Sequence, residues 1–299
     1  MPRGEWVAPV GSRYPDGRRG RRPVGCERMP GTCLLQVWSR LSDEACEDAV
    51  LDSRAMQRFV GIDMMSEQVP DATTLLKFRH LLEGEGLGEG MLAELVPVLD
   101  ERGIIMRGGS VVDATFVESP SSTKNRERSR DPEAHQAKKG NNWHFGYKAH
   151  AGVDAGTGLV HTVEVTAANV SDVAVAPSLL RPDDEFCYAD AGYTGIGKRP
   201  EVRGDPTLSG VEWRVARRRS RVPGRDHPEV SWERGTGSSP SRVRPRAGHP
   251  LHAVKDLFGL GRTRYRGPGR NRNQLCVAFA LADLALLAQA GRTLAPTCA

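Results

Sequence analysis

One run of residues narrows what this chain can fold into more than its composition does. It is the apolar, β-type segment Ser110-Val-Val-Asp-Ala-Thr-Phe-Val117, with a carboxylate at its centre. A strand in a sheet tolerates Asp113 only where its charge is paired or binds a metal, because an uncompensated buried carboxylate costs several kcal/mol. A second aspartate, Asp190, follows the short apolar run Phe186-Cys-Tyr-Ala189 and precedes Gly192. That position is the end of a strand, where a ligand can approach.

Between the two aspartates the pattern changes in a fixed order. A basic loop follows the first strand. Residues 147–154 and 159–166 alternate with period two around Ala155-Gly-Thr-Gly158, which reads as a hairpin with a glycine-bearing turn. Residues 171–180 carry helical spacing, and 185–189 form a buried strand. Three adjoining strands, a helix and a further strand is the order of an α/β, RNase H-like core. Carboxylates on neighbouring strand ends, among many Lys and Arg, suggest divalent-metal phosphoryl transfer on nucleic acid.

The flanks divide the chain further. Residues 1–24 are rich in Gly, Pro and Arg and read as a flexible basic arm. Residues 25–104 carry helical periodicity over 33–59, 70–82 and 90–102, with Ser42 and Asp71 or Thr73 as N-caps, and read as a helical N-terminal domain. The catalytic domain is expected over 105–292. Its stretch 202–247 is crowded with Arg, Gly, Pro and Ser and is read as an irregular, loop-rich insertion containing one plausible strand over 210–216. Helices are expected over 249–257 and 273–289, and 293–299 form a tail.

The formal charge is +5 over 299 residues, with 38% hydrophobic and 26% charged residues. More telling than the sum are the clusters at Arg18–Arg22, Lys124–Arg126, Lys138-Lys139, Arg214–Arg221 and Arg262–Arg272, which suit a phosphate backbone. The six cysteines show no C-x-x-C pair and no zinc spacing, so a reduced, cytoplasmic setting is expected. The most apolar segment, 275–290, carries Asp283 and is too short for a bilayer, so a buried helix is expected and no membrane association. His144, His150 and His161 read as packed or surface histidines, and Trp143 and Tyr193 as core aromatics, with base stacking as the alternative role for either aromatic.

The chain resembles the DDE transposases of bacterial insertion sequences, of the insertion sequence five type. The resemblance is carried by Leu41-Ser-Asp-Glu-Ala45, Val69-Pro-Asp-Ala-Thr-Thr-Leu-Leu-Lys-Phe-Arg79, Val112-Asp-Ala-Thr115, Lys138-Lys-Gly-Asn-Asn-Trp143, Gly146-Tyr-Lys-Ala-His150, Ala167-Ala-Asn-Val-Ser-Asp172, Ala189-Asp-Ala-Gly-Tyr-Thr-Gly195, Thr263-Arg-Tyr-Arg-Gly267 and Asn273–Leu284. Each string is weak alone, and their shared order is specific. The resemblance implies cut-and-paste transposition of double-stranded DNA by three carboxylates holding two divalent ions, Mg²⁺ or Mn²⁺. It also implies a homodimer on paired transposon ends and a nucleoid-associated location. Asp113 and Asp190 match the first two acidic positions, as catalytic and metal-binding residues. Lys139, Arg244, Lys255, Arg262, Arg264 and Arg266 are the expected DNA contacts.

The family's third acid, a glutamate, falls between a matching arginine and lysine. Here that frame reads Arg244-Pro-Arg-Ala-Gly-His-Pro-Leu-His-Ala-Val-Lys255, and the glutamate position holds Gly248. Glycine offers only its backbone carbonyl. Asp256 lies eight residues on, about 80° away around a helix, and Glu229 and Glu233 lie in the irregular stretch. Catalysis by this copy is therefore expected to be impaired. Two other readings stay open: a DNA-binding relic without cleavage, and a metal-dependent nuclease on the same core.

Overall fold

The computed structural model describes residue 14 and residues 24–84, 86–105, 108–216 and 245–289. The basic arm lies almost wholly outside them, as do 217–244, with Arg244, Glu229 and Glu233, and the C-terminal tail.

Five helices open the fold: α1 (Met29–Ser39), α2 (Asp43–Asp52), α3 (Arg54–Val60), α4 (Ala72–Gly84) and α5 (Leu87–Glu101). The expected caps form. Ser42 Oγ accepts from Ala45 N at 3.1 Å, and Asp71 Oδ1 accepts from Thr74 N at 2.7 Å. The helical periodicity over 33–59 divides at Ser42 as expected, where Arg40 adopts a left-handed conformation after α1, and once more where Ser53 caps α3. Arg79 clamps Asp43 bidentately at 2.7 and 2.6 Å, and this pairing holds the Asp43 carboxyl below its usual range.

The sheet contains β1 (Ser110–Glu118), β2 (His135–Lys139), β3 (Asn142–Asp154), β4 (Val160–Ala167), β5 (Phe186–Ala189) and β6 (Glu212–Val215). β1 pairs antiparallel with β3 and parallel with β5. β3 also pairs with β2 and β4, and β5 pairs parallel with β6. The main order is therefore β4-β3-β1-β5-β6, three antiparallel strands continued by two parallel ones, which is the RNase H-like topology. β2 was not expected. It forms from the basic loop because Lys138 and Lys139 pair with Trp143 and Asn142 across a tight turn.

The expected helix 171–180 is shorter: α6 (Asp172–Val175) gives way to a 3₁₀ turn, Ala176–Leu179, at Pro177. The expected insertion, 202–247, begins with order: α7 (Pro200–Arg203) and α8 (Pro206–Ser209) precede β6, which lies within the strand expected over 210–216. Pairing with β5 holds β6, while the two short helices were not expected.

Alternation along β1 separates two cores. Val111 and Val117 face the larger one, with α5, α9 (Pro245–His252) and α10 (Pro268–Gln289), whereas Val112 faces a smaller one with Cys187, Ala189 and Tyr193. Helix α10 is buried nearly all round, as its composition predicts. Its Asp283 is fully buried and takes Val160 N on both carboxylate oxygens at 3.0 and 3.1 Å, capping the start of β4. Burial pushes that carboxyl well above its ordinary pKa. The helical domain joins the sheet domain where Gly88 approaches α10. A Cβ there would meet Asn273 O at 2.4 Å, and Gly88 N donates to Asn273 Oδ1 at 2.7 Å.

Candidate active site on β1 and at the end of β5

Parallel pairing decides where the two aspartates meet. Ser110 pairs with Cys187 and Val111 with Tyr188. Continued two residues along, this register sets Asp113 level with Asp190. Both follow the alternation of Val111 and Tyr188, so both belong to the face that packs against α9. Each is half-buried. Each carboxylate is also held locally. Asp113 Oδ1 accepts from Ala114 N at 2.8 Å, and Asp190 Oδ1 accepts from Gly192 N at 2.7 Å, the latter fixing the turn out of β5.

Gly248 lies on α9, whose Ala247, Leu251 and Val254 pack into the same core as Val111 and Val117. The helix of the third acidic position is thus on the carboxylate face. A Cβ built on Gly248 meets nothing within 4 Å, so a larger side chain fits there without displacement. Asp256 does not replace it. It sits in the π-helical segment Ala253–Leu257 that continues α9, with its Oδ2 at 2.8 Å from His252 Nδ1. Among the described residues no three His, Cys, Asp or Glu side chains converge as a metal cluster.

Tyr193 lies beneath this part of the sheet, 2% exposed, and its hydroxyl has no hydrogen-bond partner among the described residues. Burial, then the charges of Asp172, Asp113 and Asp190, raise its pKa well above the ordinary value. The phenol therefore stays a neutral donor beside the carboxylates. It was read as a core aromatic and is one; its electrostatic link to both aspartates had no sequence signal. The histidines are hydrogen-bonded: His144 to Glu118 at 3.0 Å, His150 to Thr166 at 2.9 Å and His161 to Ser110 at 2.8 Å.

The expected DNA-contacting residues separate into groups. Arg264 and Arg266 line one groove of about 380 Å³, together with Lys124 and Arg130, Ser119, Ser122, Ser129, Thr263 and Tyr265. Its acid, Asp131, is 7% exposed and is occupied by Tyr147 Oη at 2.7 Å and Gly267 N at 3.0 Å. Arg266 pairs with Glu127 and donates to Ser129 O at 3.0 Å. Arg262 adjoins Glu118 at the end of β1, exposed and outside the groove lining. Lys255 is exposed on the π-helical segment, and Lys139 ends β2 with its Nζ 5.9 Å from the Phe116 ring centroid. Arg130 was missed by the sequence reading, since it stands apart from the Lys124–Arg126 cluster and only the fold returns it to Arg264.

An RNase H-like domain with two aspartates level on adjoining strands, and a cation-lined groove past the far end of β1, belongs to a class of proteins that work on nucleic-acid backbones. This chain belongs to the DDE transposases. The family described as "Transposase DDE domain" matches residues 106–284, and "Transposase domain (DUF772)" matches residues 2–81. Transposases of this family depend in general on divalent metal. A solved structure described as the crystal structure of the Mos1 strand transfer complex is similar at 15% identity over 93% of this chain and 85% of that one, with a TM-score of 0.20. So low a score carries no structural weight. None of the described helices is long and apolar enough to cross a membrane.

Proposed function

We propose that this chain is the transposase of an insertion sequence, acting on the terminal inverted repeats of its own element, and that Gly248 impairs it. The observation that carries this reading is the parallel register setting Asp113 level with Asp190, on the face packed by the helix of Gly248. Oxygen donors of this kind fit Mg²⁺ or Mn²⁺. Asp113 and Asp190 would hold the metal, two ions by analogy with the family, and Gly248 withholds the third carboxylate. When bound, divalent ions supply an activated water or 3′-hydroxyl and stabilise the leaving oxygen. The protein's own part is to fix both aspartates on hydrogen-bonded strands and to seat the DNA backbone with Lys124, Arg130, Arg264 and Arg266. Lys139, Arg244, Lys255 and Arg262 are further proposed backbone contacts. Action as a dimer on paired ends rests on family membership.

The test is cleavage of a labelled transposon-end duplex with Mg²⁺ or Mn²⁺ by the natural chain and by Gly248→Glu. Restoring a lost transition-state ligand raises the rate by roughly 100-fold or more, and adding Asp113→Asn to the variant abolishes the gain. No gain from Gly248→Glu would remove Gly248 as the cause of impairment.

One observation favours a second reading, a relic that binds ends without cutting. The cation groove is intact while the third acid is missing. Salt-sensitive binding with no nicking by the natural chain distinguishes it. The nuclease reading accounts less well for the transposase match over residues 2–81.

A further inference from the structure

The β2–β3 hairpin extends past the rest of the sheet. The last pair between β1 and β3 is Glu118 with Gly146, and beyond it β2 and β3 pair only with each other as far as Lys139 and Asn142. Near its tip Trp143 is 66% exposed, which overturns its expected place in the core. Lys138 Nζ lies 6.0 Å from its ring centroid. From His135 to Trp143 the hairpin carries Lys138, Lys139, Asn141 and Asn142 and no acid.

An indole displayed to solvent among cations and amide donors suits a partner that presents both phosphates and π-faces. We infer that Trp143 stacks on a base of the bound DNA, with Lys138, its cross-strand partner on the same face, on the adjacent phosphate. This rests on the proposed action on transposon ends and adds the place and mode of contact.

Geometry sets the place. Along β3, Trp143, Phe145, Tyr147, Ala149 and Ala151 share one face by alternation, and Asp113 pairs with Ala151. The indole therefore stands on the carboxylate face, eight residues along the strand. At ~3.3 Å per residue this is about 26 Å from the level of Asp113. Arg130, whose guanidinium lies 5.7 Å from the Phe145 ring centroid, belongs both to this face and to the groove wall, so the cations continue between the two points. With 3.4 Å between base pairs, the contact falls roughly eight base pairs from the cleaved phosphodiester.

The experiment uses the full chain and a duplex carrying the element's terminal inverted repeat, with 2-aminopurine at successive positions. The natural protein should give a fluorescence change centred about eight base pairs from the cleavage site. Trp143→Ala should lose that signal and bind roughly 5- to 100-fold more weakly, the ratio one stacked base supplies, with its salt dependence unchanged. Trp143→Phe should keep both signal and affinity. Lys138→Ala should instead lower the salt slope by about one. Because Trp143 is exposed, the melting temperature of Trp143→Ala should match the natural chain. Equal binding and an equal fluorescence profile for Trp143→Ala would overturn the stacking contact and leave the proposed function standing. Failure of the natural chain to bind the duplex at all would overturn both.

Discussion

Two pairs of aspartates gather along β1, one at its first residue and one at Asp113, and their surroundings differ. At its start, Asp154 and Asp184 are 0% and 6% exposed, and Arg181 bridges them at 3.3 and 3.0 Å. Ser110 Oγ donates to Asp184 and lies 2.8 Å from His161 Nε2, while Asp154 Oδ1 takes the backbone N–H groups of Gly156 and Thr157. Two residues past the parallel pairs, Asp113 and Asp190 are half-buried and level, on the face packed by the helix that carries Gly248. The first group is closed by the protein, with arginine, serine and turn amides, and its chemistry ends there. The second lies on β1 and just past β5, on the face packed by α9. Carboxylates in an apolar sheet are thus no functional signal by themselves; what closes around them decides.

The largest effect should come from the Asp154–Asp184 pair. Arg181→Met leaves two buried carboxylates uncompensated and is expected to cost roughly 3–5 kcal/mol of unfolding free energy, measured by denaturant titration. Asp113→Asn, in the second pair, should change it by less than about 1 kcal/mol. Equal losses would mean that both pairs are structural.

Acid should next expose the first pair through histidine. Burial, with Arg181 adding, pushes His161 down to about 3, and burial with Lys148 pushes His150 down to about 4 against an opposing pull from Asp172. Both histidines therefore fold neutral. Their contribution is complete above the unfolded value near 6.5 and is lost as pH falls toward the folded values, because the unfolded chain then takes up protons first. Thermal melts between pH 7 and pH 4 should show falling stability, and His161→Gln should flatten the fall. Buried Asp283 acts the other way, since its raised pKa opposes folding at neutral pH. Asp283→Asn keeps an oxygen for Val160 N and should raise the melting temperature at pH 7, with the gain shrinking as pH drops.

The smaller effects concern the groove and the helical domain. Arg264→Ala should weaken DNA binding about equally across sequences and reduce the salt slope by about one, read from binding isotherms at several salt concentrations. Ser42→Ala, distant from both aspartate groups, should cost about 1 kcal/mol through the lost cap and leave DNA binding unchanged.

How much of this could be read in advance varied with the range of the interaction. Ser42 and Asp71 were legible as caps because a cap is made within three residues. The hairpin at 155–158 and the strand after Glu185 were legible because period two needs only a few neighbours. β2 was not, since Lys138 and Lys139 become a strand only by pairing with Asn142 and Trp143. The short helices within 200–209 were not, since so polar a stretch signals no period, whereas the strand expected over 210–216 forms as β6 on its ladder to β5. Trp143 was placed in the core because an aromatic in a strand usually is; its exposure follows from where β1 stops pairing.

The sequence by itself determined the class of fold and singled out Asp113, Asp190 and position 248 as the proposed acidic positions. Side-chain chemistry and local periodicity are written residue by residue. Only the tertiary structure decided that Asp113 stands level with Asp190, that Gly248 faces open space on their side, and that Arg130 joins Arg264 in one groove. These are facts of register and packing between segments far apart in the chain, and a register shift of one residue would turn either carboxylate to the other face.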